Sequence, residues 1–423
     1  METESRELVE RLLEKGVRLP APETVTISPE VDPERISGRG VTIHAGSRIS
    51  GSRTLISSGA EIGFEAPATV EQCQVGPRVC LKGGFFSGSV FLQGASCGSS
   101  SHVRSACILE EQASIAHSVG IKQTILFPHV TLGSLINFCD CLMAGGTDAK
   151  NHSEVGSSYI HFNYTPQQDK ATASLIGDVP RGVMLDQSPI FLGGQGGMVG
   201  PCRIGYGVTT AAGTICRQDE LRENRLIIGA SRRGGNIAYS PGGYRNVKRI
   251  FSNNLIYIGN LFALAQWYRH VRNRFTGDDH PEALHEGLCL RLDEAIAERI
   301  ERLSGFFDNL ERYCRSGKKE PSSADAGVPE ATLLEKRAEI FEVMTAYKEC
   351  ELLLPHRAEA FLEAFLPGGK PFVQDSGIPY LNAVKALSPP AKKRGSLWLQ
   401  SIVDQLTADV FARLPELHTR KGS

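Results

Sequence analysis

Between Ile190 and Cys216 the chain reads IFLGGQGGMVGPCRIGYGVTTAAGTIC, with a branched or long apolar residue followed by a small one about every six residues. An amphipathic helix returns its apolar face every three to four residues and a half-buried strand every two, so neither fits. A six-residue rhythm suits a triangular coil of parallel strands. Each flat side takes one hexad, the aliphatic residue points into the prism, and small residues turn the corners. Hexad-like fragments such as IHAGSR, IGFEAP, VGPRVC, IAHSVG, LGSLIN and IGDVPR recur from Val25 to Ile227. Their spacing breaks near Phe85 to Gly94 and at Gly145 to Lys150, which predicts excursions from the coil at both places, where such folds carry their chemistry.

Composition agrees with stacked turns around a thin aliphatic interior: the chain has 44 glycines, and aromatics are only 7%. A formal net charge of -1 with 22% charged residues gives no basic field for nucleic acid, so no nucleic-acid partner is expected. The eleven cysteines form no CxxC pair and follow no signal peptide, which reads as reduced, mostly buried thiols in a cytoplasmic protein. Cys139-Asp140-Cys141 comes nearest to a metal pattern, but one intervening strand residue puts both thiols on one face with no His beside them, so no metal is expected. No apolar run reaches the length of a membrane span.

Residues 1–24 carry a short charged helix, Glu4 to Lys15, that Gly16 ends; residues 25–240 carry the coil. After about Ser240 glycine thins out and long helical patterns begin, so residues 241–423 read as an all-α region. The polar segment at about 316–331 is expected to be a flexible connection. The apolar faces of these helices are expected to pack on one another or on the coil rather than on a cofactor.

The stretch VGSSYIHFNYTPQQDKATASLI from Val155 to Ile176, followed by Ile190 to Cys216, resembles the last coils of bacterial bifunctional UDP-N-acetylglucosamine pyrophosphorylase/glucosamine-1-phosphate acetyltransferases. The residues that carry it are Asn163-Tyr164, Lys170 in the following loop, the turn Ala211-Ala212-Gly213-Thr214, and Ser231-Arg232; Arg11 to Val31 resembles the family's linker helix and first coil. The resemblance spans roughly residues 8 to 233 and implies a left-handed parallel β-helix, acetyl-CoA as co-substrate, an amino sugar or amino-sugar phosphate as acceptor, and a homotrimer. No uridylyl-transfer half precedes the linker helix, so that activity is not expected. The position of the family's catalytic His is Asp140 here, its sugar-binding Tyr falls on Met143, and its cationic sugar-phosphate contacts fall on Glu110 and near Pro128.

Acetyl transfer from a thioester to an amine needs a base, donors for the developing oxyanion and a slot for pantetheine. Asp140 and His161 are the leading candidates for the base, ahead of His129 and His152 on nearby coils. Asn163, Tyr164, Gly194, Ala212 and Arg232 are the candidates for coenzyme binding, and Lys170 and Glu154 for the substrate. The glycines at Gly193-Gly194, Gly196-Gly197 and Gly213 either turn tight corners or expose amides along a groove; pattern alone leaves both open. Two functions follow: an acetyl-CoA-dependent N-acetyltransferase, or a non-catalytic coil acting as scaffold or sugar-nucleotide sensor with the helical region as partner surface.

Overall fold

A computed structural model describes residues 2–165, 168–229, 244, 246–275, 281–315, 330–365 and 378–414. Helix α1 (Glu2–Lys15) leads into a parallel β-solenoid of about eleven turns, with strands from Thr26 to Ile227. The prism has three faces. On the first, the column Ile43, Ile62, Leu81, Cys97, Ile115, Leu132, Val155, Leu192 and Thr210 points inward, each residue in register with the next. Successive members lie 16 to 19 residues apart through most of the coil, three hexads per turn. Burying each such side chain contributes about 1.5–3 kcal/mol, which is how the hexad rhythm becomes a stack.

Left-handed backbone at the corners closes each turn. Gly40, Gly59, Arg78, Gly94, Gln112 and His129 form one column of positive-φ corners. A second holds Gly51, Gln72, Gly88, Ala106, Gln123 and Asp140, and a third Ser100, Ser118, Leu135, Ser158, Gln195 and Gly213. Asp140 tolerates this conformation better than most side chains, at φ 59°.

Excursions occur at one of the two expected places. Gly146–Asp148 and Asn151–His152 form a small antiparallel hairpin that lengthens the turn between Thr131 and Glu154. Phe85 to Gly94, by contrast, stays in the coil: strands Gly84–Ser87 and Val90–Phe91 pair with both neighbouring turns, and positive φ at Gly83, Gly84 and Gly88 lets that turn close short. The longest turn, from Glu154 to Phe191, holds the loop after Phe162 and the short helix α2 (Val179–Gly182), capped by Asp178.

The helical region begins with α3 (Val247–His270) and α4 (Pro281–Arg315), then α5 (Glu330–Glu335), α6 (Arg337–Glu349), α7 (Pro355–Phe365), α8 (Pro379–Ala386) and α9 (Pro389–Ala412). Of the segment 316–331 only Glu330 and Ala331 are described, and they open α5. No helix of the described residues is long and apolar enough to cross a membrane.

The third face of the prism explains where these helices sit. Its strands are mostly apolar on both sides: Ile56, Val75, Phe91, Leu109, Leu126 and Met143 point inward, while Leu55, Gln74, Val90, Ile108, Ile125 and Leu142 alternate outward and are still buried to within 1%, Gln74 being the polar member of the column. Outward positions on the first face are instead Thr42, Glu61, Cys80, Ser96, Ser114 and Thr131. Helix α4 lies over the strands at 74–75, 90–91 and 108–109, and α3 over the strand at 174–176. A sheet face that is hydrophobic outward must be covered, and the chain covers it with its own helices.

Candidate functional site

Asp140 stands at the corner beside the covered face, and both of its oxygens are engaged. Oδ1 accepts from Arg299 Nη2 of α4 at 2.9 Å, and Oδ2 accepts from Asn163 Nδ2, one turn on, at 2.7 Å. The Asp140 and Arg299 side chains are 5% and 3% exposed. Neither oxygen is open to an incoming amine in this arrangement.

His161 lies inside the prism. It occupies the inward column of the second face between Phe138 and Met198, and its Nε2 meets Ser174 Oγ at 2.7 Å. Burial pulls its pKa down to about 4 against the opposing charge of Asp140, so the ring is neutral at neutral pH and sealed from solvent. His129 is buried as well, with both ring nitrogens unpartnered and its pKa lowered to about 4 by burial and then by Lys385. His152 is half-exposed on the hairpin, its Nδ1 against Ala149 O, and Glu154 lies 4.0 Å from its other nitrogen.

Two further acids on the coil meet partners from the helices. Glu111 takes a bidentate pair from Arg272 at 2.6 and 3.0 Å, and the Arg272 guanidinium lies 3.7 Å from the centre of the Tyr380 ring. Glu110 accepts from Tyr268 Oη at 2.5 Å. Burial pushes the Glu110 carboxyl up to about 7, opposed by Arg272, reinforced by Glu111 and opposed again by the Tyr268 hydrogen bond. The folded pKa therefore stands above the ordinary 4.5 of the unfolded chain. Stability from this group is complete below about pH 4.5 and is lost as pH rises through about 7. Glu110→Gln keeps an acceptor for Tyr268 and removes the titration, so urea melts should show the variant gaining on the parent between pH 5 and pH 8. Parallel stability curves for the two proteins would contradict this assignment.

Beyond these buried pairs, the coenzyme-side candidates spread along the corners of the last turns. Gly194 is packed backbone to backbone, since a Cβ there would stand 2.9 Å from Ser157 O, so its glycine serves a tight corner. Gly213, in contrast, has φ +72° and nothing within 4 Å of where a Cβ would stand. It opens a groove of about 910 Å³ lined by Gly213 to Glu220 and by Ile227 to Gly229, with Ala212 exposed at its rim. Strand Ile215–Cys216 is the last on its face among the described residues, so one edge of its backbone faces this groove. Arg217, exposed at the lip, adds a cation that sequence reading missed, although the RQDELRENR run from Arg217 to Arg225 marks a charged final turn.

Asn163 is half-buried, Tyr164 is 66% exposed, and Lys170 is exposed in its loop. Register stacks Ile160, Gly197 and Ile215, so Asn163 follows the strand that lies two turns above Ile215–Cys216. At the usual strand spacing Asn163 is about 10 Å up the coil from the groove. Arg232 falls outside the described residues. No group of three or more His, Cys, Asp or Glu side chains among the described residues is placed to hold a metal ion.

No protein-family model matches the chain. Curated relatives do: the bifunctional protein GlmU of Thermotoga petrophila is 27% identical over 212 residues, covering 50% of this chain and 42% of that protein. GlmU of Streptococcus equi subsp. zooepidemicus is 26% identical over 219 residues, 51% of this chain and 42% of that protein, and GlmU of Thermus thermophilus 27% over 218 residues, 52% and 43%. The chain thus matches under half the length of these relatives, and the resemblance carried by Asn163-Tyr164 and the Ala211-Ala212-Gly213-Thr214 turn holds: over about half of its length this β-solenoid chain is similar to GlmU.

Proposed function

We propose that the chain is an acyltransferase-like β-solenoid that binds acetyl-CoA at the end of its coil and passes the acetyl group to an amino sugar or its phosphate. The observation that carries this reading is the groove along Ile215–Cys216, whose strand edge, unpaired among the described residues, can pair with the amides of an extended pantetheine arm. Arg217 at the lip and, fifteen residues on in sequence, Arg232 are the cations for the coenzyme phosphates. Asn163 and Tyr164, on the open corner above, would face the thioester. The acceptor amine would then approach on that corner, because the face beside Asp140 is closed by α4.

A second reading, a non-catalytic scaffold or sensor, has one specific observation in its favour: Asp140, at the family's base position, is consumed by Arg299 and Asn163. Thermal-shift titration with acetyl-CoA separates the possibilities. A site filled at a hundredfold excess over Kd stabilises the protein by about 2.7 kcal/mol, and Arg217→Ala and Arg232→Ala should lose most of that shift. Absence of any shift in the unaltered protein would sink the coenzyme reading. Binding without transfer to a panel of amino sugars would favour the sensor, and light scattering on the same samples tests the homotrimer.

A further inference from the structure

Asn163 is held by a chain of charges that begins in the helical region. Arg299 on α4 donates to Asp140 Oδ1, and Asp140 Oδ2 accepts from Asn163 Nδ2. A carboxylate can only accept, so the amide nitrogen of Asn163 must be the atom turned toward Asp140. That leaves Asn163 Oδ1 as the end turned away from Asp140, just past the strand two turns above Ile215–Cys216 of the groove. Arg299 cannot swing off to release Asp140, because α4 is pinned along the coil by the apolar outward column and by Arg291 Nη2 on Gln72 O at 2.7 Å.

We propose that Asp140 and Arg299 are positioning residues that fix which end of the Asn163 amide faces the coenzyme. The proposal rests on the acetyl-CoA reading above and refines it: the solenoid presents an acceptor oxygen, matched to an N–H donor such as a pantetheine amide, and the helical region sets that polarity. It also gives the residue at the family's base position a different task, that of holding a ligand-facing amide in one orientation.

The chain of donors and acceptors can be inverted and then restored. In Asp140→Asn, Arg299 still demands an acceptor, so the new amide turns its oxygen to Arg299 and its nitrogen to Asn163. Asn163 must then flip, presenting Nδ2 where Oδ1 stood. In the double variant Asp140→Asn/Asn163→Asp, the nitrogen at 140 donates to one oxygen of the new carboxylate and the other oxygen returns to the coenzyme side. Net charge at the pair is unchanged.

Calorimetric titration of the full chain with acetyl-CoA is expected to show about tenfold weaker binding in Asp140→Asn, recovery in the double variant, and near-parent binding in Arg299→Lys. A role confined to stability would lower the urea midpoints of these variants without the loss and recovery of affinity. Parent-like affinity in folded Asp140→Asn would overturn the proposal.

If the unaltered protein binds no acetyl-CoA, the coenzyme reading itself has failed, and the side-chain NH2 signal of Asn163 then decides the orientation without ligand. Its protons should exchange slowly in the parent and quickly in Asp140→Asn. Fast exchange in the parent would overturn the assignment.

Discussion

Replacing Arg299 by alanine should destabilise the protein by about 3–5 kcal/mol, because it strands a buried carboxylate. Asp140 is 4% exposed and would keep only the hydrogen bond from Asn163. Water could rescue the charge if α4 lifted, but lifting would uncover Val90 and Ile108, each worth about 1.5–3 kcal/mol of burial. The helix therefore stays down and the charge stays dry. Replacing both partners with apolar residues of similar size, as in Asp140→Leu/Arg299→Met, removes the stranded charge and should recover most of the loss. The recovery has a further source: Arg299 Nε and Nη1 are themselves buried without partners, so the arginine carries an unmet desolvation penalty even in the parent. Urea unfolding at pH 7 measures all three proteins. A loss below about 1 kcal/mol in the single variant would mean that Asp140 is hydrated or neutral, contrary to the burial described.

The coil was legible because its signal is local. Each hexad carries its own inward residue and its own corner, so Leu109, Ile115 and Ile121 are read six apart without any long-range information. Stacking then follows, since each side chain needs a neighbour above and below. The excursion expected at Phe85 to Gly94 does not occur because irregular hexad spacing need not leave the coil: glycines at positive φ let a turn close in 16 residues, from Cys80 to Ser96. Helices α7 and α8 carry their own start signal within the all-α region, since Pro355 and Pro379 stand at their first positions, where proline favours a helix start.

The site was less legible because it joins residues about 160 apart. Arg299 sits in an amphipathic helix where a cation normally marks the solvent face, and no local pattern ties it to Asp140. Two signals were nevertheless present. One is the pair of adjacent apolar residues on the third face, Val90-Phe91, Ile108-Leu109, Ile125-Leu126 and Leu142-Met143, against Ser-Ile or Thr-Leu on the first face; it marks a side that must be covered from both directions. The other is the acids themselves: Glu110, Glu111 and Asp140 are buried in the coil, and a buried carboxylate calls for a cation or donor from elsewhere. Arg272, Tyr268 and Arg299 are those partners. His161 misled for the opposite reason, since its nearness in sequence to Asn163 hides the strand alternation that turns it inward while Phe162 faces out.

Trp267→Ala should cost about 3–5 kcal/mol, and its effect should reach the coil. Trp267 is fully buried in α3, stacked 5.6 Å from Phe361, which in turn stacks on Trp398 of α9. Removing the indole leaves a cavity among three helices that rigid aromatic neighbours cannot fill by small shifts. The indole also positions the face that meets the solenoid: Nε1 donates to Tyr380 Oη at 3.0 Å, and the Tyr380 ring backs the Arg272 guanidinium that grips Glu111. Trp267→Phe retains much of the packing but loses that donor, so it should cost less in urea melts than alanine does while still loosening Tyr380. The two variants therefore separate volume from positioning. Both should weaken the Arg272–Glu111 pair, seen as a coupling energy that shrinks when Arg272→Met/Glu111→Leu double-mutant cycles are run in each background. An unchanged coupling in both would show that the helical core and the docking pair are energetically independent, and that Tyr380 is held by its other ring contact, Phe275, alone.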